Sequence, residues 1–304
     1  MNLLKTSTLL TAVVALATSA NAATWNAKTF NGGLDDTSDW DAGGTSPLTA
    51  MNVDNDDTWV IDGTRMFRGD SHVFFGTLQV SNTDNDDGEF FNRESGGVGS
   101  SFEAIILDGG ALNNFLSGQP GEGITADTVS VTANGGTLGG ERETSQFGFG
   151  SISGSGNIFV TGRANGAPST TPNSNTTVRL LAGKNDLGTT DYSGFSGTFI
   201  VQEVTGNTDG YFGFNEDVTS GTFGLEVQAG GTYNLANDVT VTSLTLGSDT
   251  FGAGTYTFTD FTLAQQAFFN GQNDGGTLIV AIPEPGSLAL LAVGGMCMMR
   301  RRRA

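Results

Sequence analysis

The sequence predicts an all-β body folded as a β-solenoid, and three observations carry that prediction. Val, Ile, Thr and 21 Phe are spread through the chain in short alternating runs, each ended by turn-forming residues. One template recurs: Ile105-Ile-Leu-Asp-Gly-Gly-Ala-Leu112, Val129-Ser-Val-Thr-Ala-Asn-Gly-Gly-Thr-Leu138 and Leu225-Glu-Val-Gln-Ala-Gly-Gly-Thr-Tyr233. Each copy has an alternating strand, a polar turn, a Gly-Gly pair and a return to an apolar position. The pairs at Gly109, Gly135 and Gly230 are separated by 26 and 95 residues, the second close to four steps of roughly 24, as stacked rungs give. A rung of two or three short strands cannot bury its inward side chains alone. Stacking satisfies its backbone groups and turns those side chains into a continuous column.

Taken in order, Trp25 and Trp40 bracket an acidic Gly/Asp loop and are expected to cover one end of the core. Thr58–Ile61 and Ser71–Val80 read as strands. Acidic stretches stand beside them, at 54–57 and 84–88. With Asn82 as position 1 of a calcium loop, Asp84 and Asp86 fall at positions 3 and 5, but Asp87 replaces the required glycine and Arg93 the final glutamate. Solvated turns are the expectation there, with loose calcium binding the alternative, and no cofactor is expected. A second repeat pairs Gly156-Asn-Ile-Phe-Val160 with Gly197-Thr-Phe-Ile-Val201, 41 residues apart. Residues 164–177 form a polar excursion. Gly275–Val280 is a final strand leading into the C-terminal tail. The glycines read as corners at positive φ or close backbone approaches, and no lysine follows them in P-loop fashion.

Arg179-Leu-Leu-Ala-Gly-Lys-Asn-Asp followed by Asp191-Tyr-Ser-Gly-Phe-Ser-Gly-Thr-Phe-Ile resembles the rungs of autotransporter-associated β-strand repeats. Val239–Leu246 and Phe251-Gly-Ala-Gly-Thr-Tyr-Thr-Phe-Thr-Asp260 resemble the last rungs commonly found ahead of a C-terminal sorting tail. The resemblance covers about a third of the body and implies a single-domain, right-handed parallel β-helix. A β-sandwich jelly roll is the alternative, and it would need long antiparallel strands.

Both ends of the chain read as topogenic signals. Residues 1–22 have the form of a secretory signal peptide: Lys5 in the n-region, Leu9–Ala17 as apolar core, and Ala20-Asn21-Ala22 as an A-x-A site before Ala23. At the other end come Pro283, Glu284 and Pro285, an apolar run from Leu288 to Met299, and four arginines, Arg300, Arg301, Arg302 and Arg303. The run is shorter than the roughly 20 apolar residues of an ordinary span. The arginines resist crossing the bilayer and stay on the cytoplasmic side. In order and length this tail resembles the PEP-CTERM sorting signal of Gram-negative bacteria. The resemblance implies recognition by an exosortase-type transpeptidase, release of the tail, and transfer of the exported body from the inner membrane to the cell surface or matrix. A plain C-terminal membrane anchor is the competing reading. The expected layout is a signal peptide over 1–22, a solenoid body over 23–281, and a sorting signal over 282–304 with a short, helical transmembrane segment.

Charge narrows the partners. The chain carries −19, and Lys5 with Arg300–Arg303 supplies five of its 13 basic residues and none of its 32 acids, so residues 23–299 carry −24. Such a surface disfavours nucleic acid and anionic membranes. Cys297 is the one cysteine and lies in the tail, so the body has no disulfide; with His72 the one histidine, a His/Cys zinc site is not expected.

No G-x-S-x-G elbow accompanies His72. Glu141/Glu143 and Glu216/Asp217 are the carboxylate pairs a glycosidase could use, although only i, i+2 positions share a strand face. The bases available for lyase chemistry are Arg142, Arg163, Arg179 and Lys184. Trp25, Trp40, Trp59 and Tyr211 are the candidate sugar-stacking surfaces. The expectation is a non-enzymatic structural or adhesive surface protein, with a polysaccharide-binding or polysaccharide-degrading β-helix as the alternative.

Overall fold

The computed structural model describes residues 24–27, 32–33, 40–42, 57–63, 65–68, 76–82, 88–92, 99–114, 123–140, 145–161, 178–184, 186, 188–202, 211–270 and 275–281. The strands run in chain order as β1 (Thr24–Ala27), β2 (Gly32–Gly33), β3 (Trp40–Ala42), β4 (Thr58–Asp62), β5 (Arg65–Arg68), β6 (Thr77–Ser81), β7 (Glu89–Asn92), β8 (Ser100–Asp108), β9 (Ala111–Asn114), β10 (Ile124–Val131), β11 (Gly136–Gly140), β12 (Ser145–Gly154) and β13 (Ile158–Thr161). They continue as β14 (Val178–Leu180), β15 (Asp191–Phe195), β16 (Thr198–Val201), β17 (Phe212–Phe214), β18 (Gly224–Val227), β19 (Val239–Val241), β20 (Ser243–Leu246), β21 (Asp249–Phe251) and β22 (Gly254–Tyr256). A 3-10 turn at Phe258–Asp260, the short helix α1 (Leu263–Gln266) and β23 (Leu278–Val280) complete the set.

Successive strands alternate between two sheets. Sheet A runs β3-β1-β4-β6-β8-β10-β12-β14-β17, with β15 also on β12, and sheet B runs β2-β5-β7-β9-β11-β13-β16-β18-β20-β21. Neighbours pair in parallel except at the ends, where β1–β3, β20–β21 and β22–β23 are antiparallel. This is an all-β solenoid, and the jelly-roll alternative is overturned. Coils of about two dozen residues bring each strand back beside its predecessor, whereas a jelly roll pairs long antiparallel strands.

Alternation along each strand decides what is buried. In β4, Trp59 and Ile61 face inward between half-exposed Thr58, Val60 and Asp62. In sheet B the register stacks Phe90, Leu112, Leu138, Val160, Val201, Val227 and Leu246 into one column, coil upon coil. None is more than 1% exposed. Burying each such side chain is worth about 1.5–3 kcal/mol.

The Gly-Gly template divides two tasks between its residues. Gly109, Gly135 and Gly230 sit at φ of 92°, 75° and 84°, the left-handed region that side chains disfavour. A Cβ on the glycine that follows Gly135 would lie 2.9 Å from Leu107 Cβ, and on the one after Gly230 it would lie 2.5 Å from the Val201 carbonyl oxygen. The first glycine therefore turns the corner and the second lets the coils stack.

Two expectations about spacing part ways here. The 41-residue repeat is a true register, since Ile158 pairs Phe199 and Val160 pairs Val201. The 95-residue gap is not four equal steps. Gly109 and Gly135 stand between sheet A and sheet B strands, whereas Gly230 follows β18 and leads from sheet B back towards Tyr233, which bridges Phe212 of sheet A. One template thus serves two different corners, because any tight turn onto a packed neighbour asks for the same residues.

The solenoid changes at β12. Its first half pairs with β14 (Ser145 with Val178) and its second half with β15 (Ser151 with Asp191), the chain between leaving the ladder. From there the β14–β17 ladder continues through single bridges to Tyr233 and Phe269, and a third sheet forms from β19, β23 and β22. At the far end the β20–β21 hairpin and α1 (capped by Thr262, which accepts from the Gln265 N–H) cover the last coil. An open sheet edge would otherwise invite pairing with another chain.

Candidate functional site

The last described segment is where body and tail meet. β23 lies parallel to β19, with Leu278 and Val280 buried, and the Ala281 N–H donates to the Val241 carbonyl at 2.8 Å. The predicted final strand is therefore an integral part of the last coil. The sorting positions Pro283, Glu284 and Pro285, the arginines 300–303 and the leader site Ala20, Ala22 and Ala23 lie outside the described residues, as does the expected apolar helical segment. Among the described residues no helix is long and apolar enough to cross a membrane.

That junction is where known proteins bear on the chain. The tail matches the PEP-CTERM protein-sorting motif over residues 281–303. The match begins one residue after β23 ends. A PEP-CTERM motif indicates an exosortase-sorted extracellular protein, exported and then anchored in the membrane for sorting to the cell surface. No curated protein and no solved structure matches the chain.

The carboxylates predicted as pairs behave differently from one another. Glu141, Glu143, Arg142, Arg163 and His72 lie outside the described residues. Glu216 is buried and accepts the Thr190 N–H through both oxygens, at 2.9 and 3.2 Å. Burial pushes its carboxyl above the usual range against the pull of those bonds, and the nearby Asp186 charge adds to the rise. The neighbouring Tyr192 hydroxyl is likewise held well above the ordinary phenol range, chiefly by burial and then by the Glu216 charge. Asp217 is exposed and accepts the Asp238 N–H at 2.9 Å. The two side chains serve separate backbone contacts and do not face a common space.

Lys184 is bound to Asp127 at 2.8 Å and to the Phe102 carbonyl at 3.1 Å. Of the stacking candidates, Trp59 is corrected: at 5% exposure it belongs to the core, because its position on β4 points inward. Trp25 and Trp40 lie on the antiparallel pair at the outer edge of sheet A, where Ala27 pairs Trp40. The acidic stretches at 54–57 and 84–88 fall outside the described residues apart from Asp57, which is buried, and Gly88. Among the described residues no three His, Cys, Asp or Glu side chains converge as metal ligands.

Tyr211 and Arg179 do come together, in an open cleft of about 160 Å³ lined also by Asn215, Asn234 and Asn237. Arg179 is the outward residue of β14, and the register places Gly213 directly beside it. A side chain at Gly213 would crowd Asn234, so glycine keeps this floor low. The Arg179 guanidinium donates to the Tyr211 hydroxyl and lies 5.5 Å from the centre of its ring. Asn234, at 8% exposure, buries its Oδ1 without a hydrogen-bond donor among the described residues. An unmet buried acceptor costs about 1–3 kcal/mol.

The sequence marks Arg179 and Tyr211 for separate reasons and carries no signal for Asn234. The three belong to different coils, and only the 34-residue offset between Val178 and Phe212, continued by the Phe212–Tyr233 bridge, brings them together.

Proposed function

We propose that this is a non-enzymatic structural or adhesive protein of the cell surface or extracellular matrix, displayed as an acidic β-solenoid. In this reading residues 1–22 direct export and are removed before Ala23, and Pro283–Pro285 are read by an exosortase while the arginines hold the tail in the membrane. The observation that carries it is the junction at 280–281, where a closed last coil gives way directly to the sorting motif. The −24 carried by residues 23–299 supports the reading by self-repulsion, which favours an extended, soluble surface element.

The test is to replace Pro283 and Pro285 with alanine in the producing cell. The expected outcome is retention of the variant in the membrane fraction at higher mass than the wild-type surface product. Unchanged mass and unchanged distribution would overturn the sorting role. A second reading, polysaccharide attachment, is favoured by one observation, the Arg179–Tyr211 cleft. Retention on a polymer without release of reducing ends or unsaturated products would separate it from both a plain spacer and an enzyme.

A further inference from the structure

We propose that the C-terminal cap of the solenoid is a lipid-contacting surface, whose Leu263 side rests against an electroneutral bilayer while the tail holds the chain there. The observation that carries it is the inverted polarity of α1. An ordinary surface helix turns its apolar side chains inward and its polar ones to water. Here Leu263, Ala264 and Ala267 are exposed, Gln265 and Gln266 are half-buried, and no residue of α1 is buried. Both glutamines are fastened to the protein. Gln265 Nε2 donates to Asp249 Oδ2 at 2.8 Å, and Gln266 Nε2 donates to the Phe258 and Phe261 carbonyls at 3.2 and 3.0 Å. Leu263 is 86% exposed, the one large apolar side chain so exposed among the described residues. A lone exposed leucine means little, but a helix tied down by its polar face has its apolar face set outward. Half-exposed Tyr256, Phe258 and Phe268 belong to the same cap.

The tail brings this surface to a membrane. In the third sheet β22 lies on the far side of β23 from β19, and β21 ends sheet B, so the cap forms the terminal layer of the solenoid. The tail leaves from the layer beneath it, where Val280 pairs Gly254 in antiparallel register and the sorting motif begins at the next residue. Cap and tail thus share one end of the molecule, and β1, β3 and β4 lie at the other. From Ala281 to Leu288, where the apolar run starts, seven residues reach at most about 25 Å. Tethering at that range supplies the effective concentration that a small apolar contact lacks alone. Charge selects the lipid. Residues 249–270 hold two acids, Asp249 and Asp260, and no base, so nothing in the cap attracts an anionic headgroup. Both acids are engaged within the cap, by Gln265 and Thr257. The inference rests on the membrane-anchored stage of sorting, and release of the tail would free the cap.

The test is reconstitution of the full chain into phosphatidylcholine vesicles, made with and without brominated acyl chains. Flotation and tryptophan emission are read for the wild type, Leu263→Trp and Ser130→Trp. The native Trp25, Trp40 and Trp59 lie at the opposite end of the solenoid and give the baseline. All three proteins are expected to float. Leu263→Trp should shift its emission to the blue and lose more of it to the brominated lipid than the wild type does. Ser130→Trp, exposed on sheet A, should match the wild type. Flotation without extra quenching of Leu263→Trp, or equal quenching of Ser130→Trp, would overturn the lipid contact and leave the sorting reading standing. A blue shift that the brominated lipid does not quench would assign the surface to a second copy of the chain and overturn the inference likewise. A chain that does not float would overturn the anchoring itself, and the inference with it.

Discussion

The two halves of the solenoid fill their interiors differently. From residue 57 to 161 the coils return at near-regular intervals, the strands pair without interruption, and the inward columns are mainly aliphatic. In sheet A, Trp59 is followed by Leu78, Ile105, Val129 and Ile152 in one register. Beyond β12 the ladder has divided, a third sheet has opened, and the interior is packed with rings. Phe199 meets Phe195, Phe212, Phe214 and Phe223 at centroid distances of 5.1–5.6 Å, mostly edge to face. Rings fill this interior where the regular half uses mainly aliphatic side chains, and they pack largely edge to face. The irregular half is also the one that carries the cleft and the buried Glu216. Where a repeat departs from its period, side chains from different coils acquire new neighbours.

Truncating the ring hub should be the costliest single change. Phe199→Ala is expected to destabilise by about 3–5 kcal/mol, and Leu138→Ala in the regular half by about 2–4 kcal/mol, both from urea unfolding. A Phe199→Ala cost no greater than that of Leu138→Ala would break the contrast between the halves.

Next comes the shared corner chemistry. Gly135→Ala would place a methyl 2.4 Å from the Asn157 carbonyl oxygen at a φ of 75°, for an expected loss of about 1–3 kcal/mol. A neutral result would mean that the corner relaxes freely and that stacking does not depend on close approach.

The smallest effect is electrostatic. Because burial raises the Glu216 carboxyl in the folded state above its ordinary 4.5, the native form holds its proton longer than the unfolded chain does. Its contribution therefore favours folding below about pH 4.5 and fades as pH climbs through the raised folded value. Glu216→Gln should flatten that part of the stability–pH profile, and an unchanged slope would assign it to other carboxylates.

Much of the regular half was legible in the sequence because alternation, Gly-Gly corners and a near-constant step all report one periodicity. Ile105 and Val129 fall at the same place in the repeat and at the same place in the sheet. The irregular half hid its register behind insertions, so the 95-residue gap could be divided into the wrong number of coils, and the corner at Gly230 looked like those at Gly109 and Gly135. Nor did the sequence mark the buried polar ladder inside the regular half. There Asn92 Nδ2 donates to Asn114 Oδ1 at 3.2 Å, and Ser100 Oγ donates to Asn92 Oδ1 at 2.9 Å. Asparagine in a Gly-rich chain reads as a turn former, and only stacking turns two such residues inward to satisfy each other. The cleft was legible in part, as Arg179 and Tyr211, but its third wall required the fold.

The destination of the chain rests on its two ends, and one measurement addresses both: the intact mass and N-terminal sequence of the product recovered from the cell surface. The account predicts a chain that begins at Ala23 and has lost the arginines 300–303. A surface product retaining Met1 or the complete C-terminal tail would contradict it.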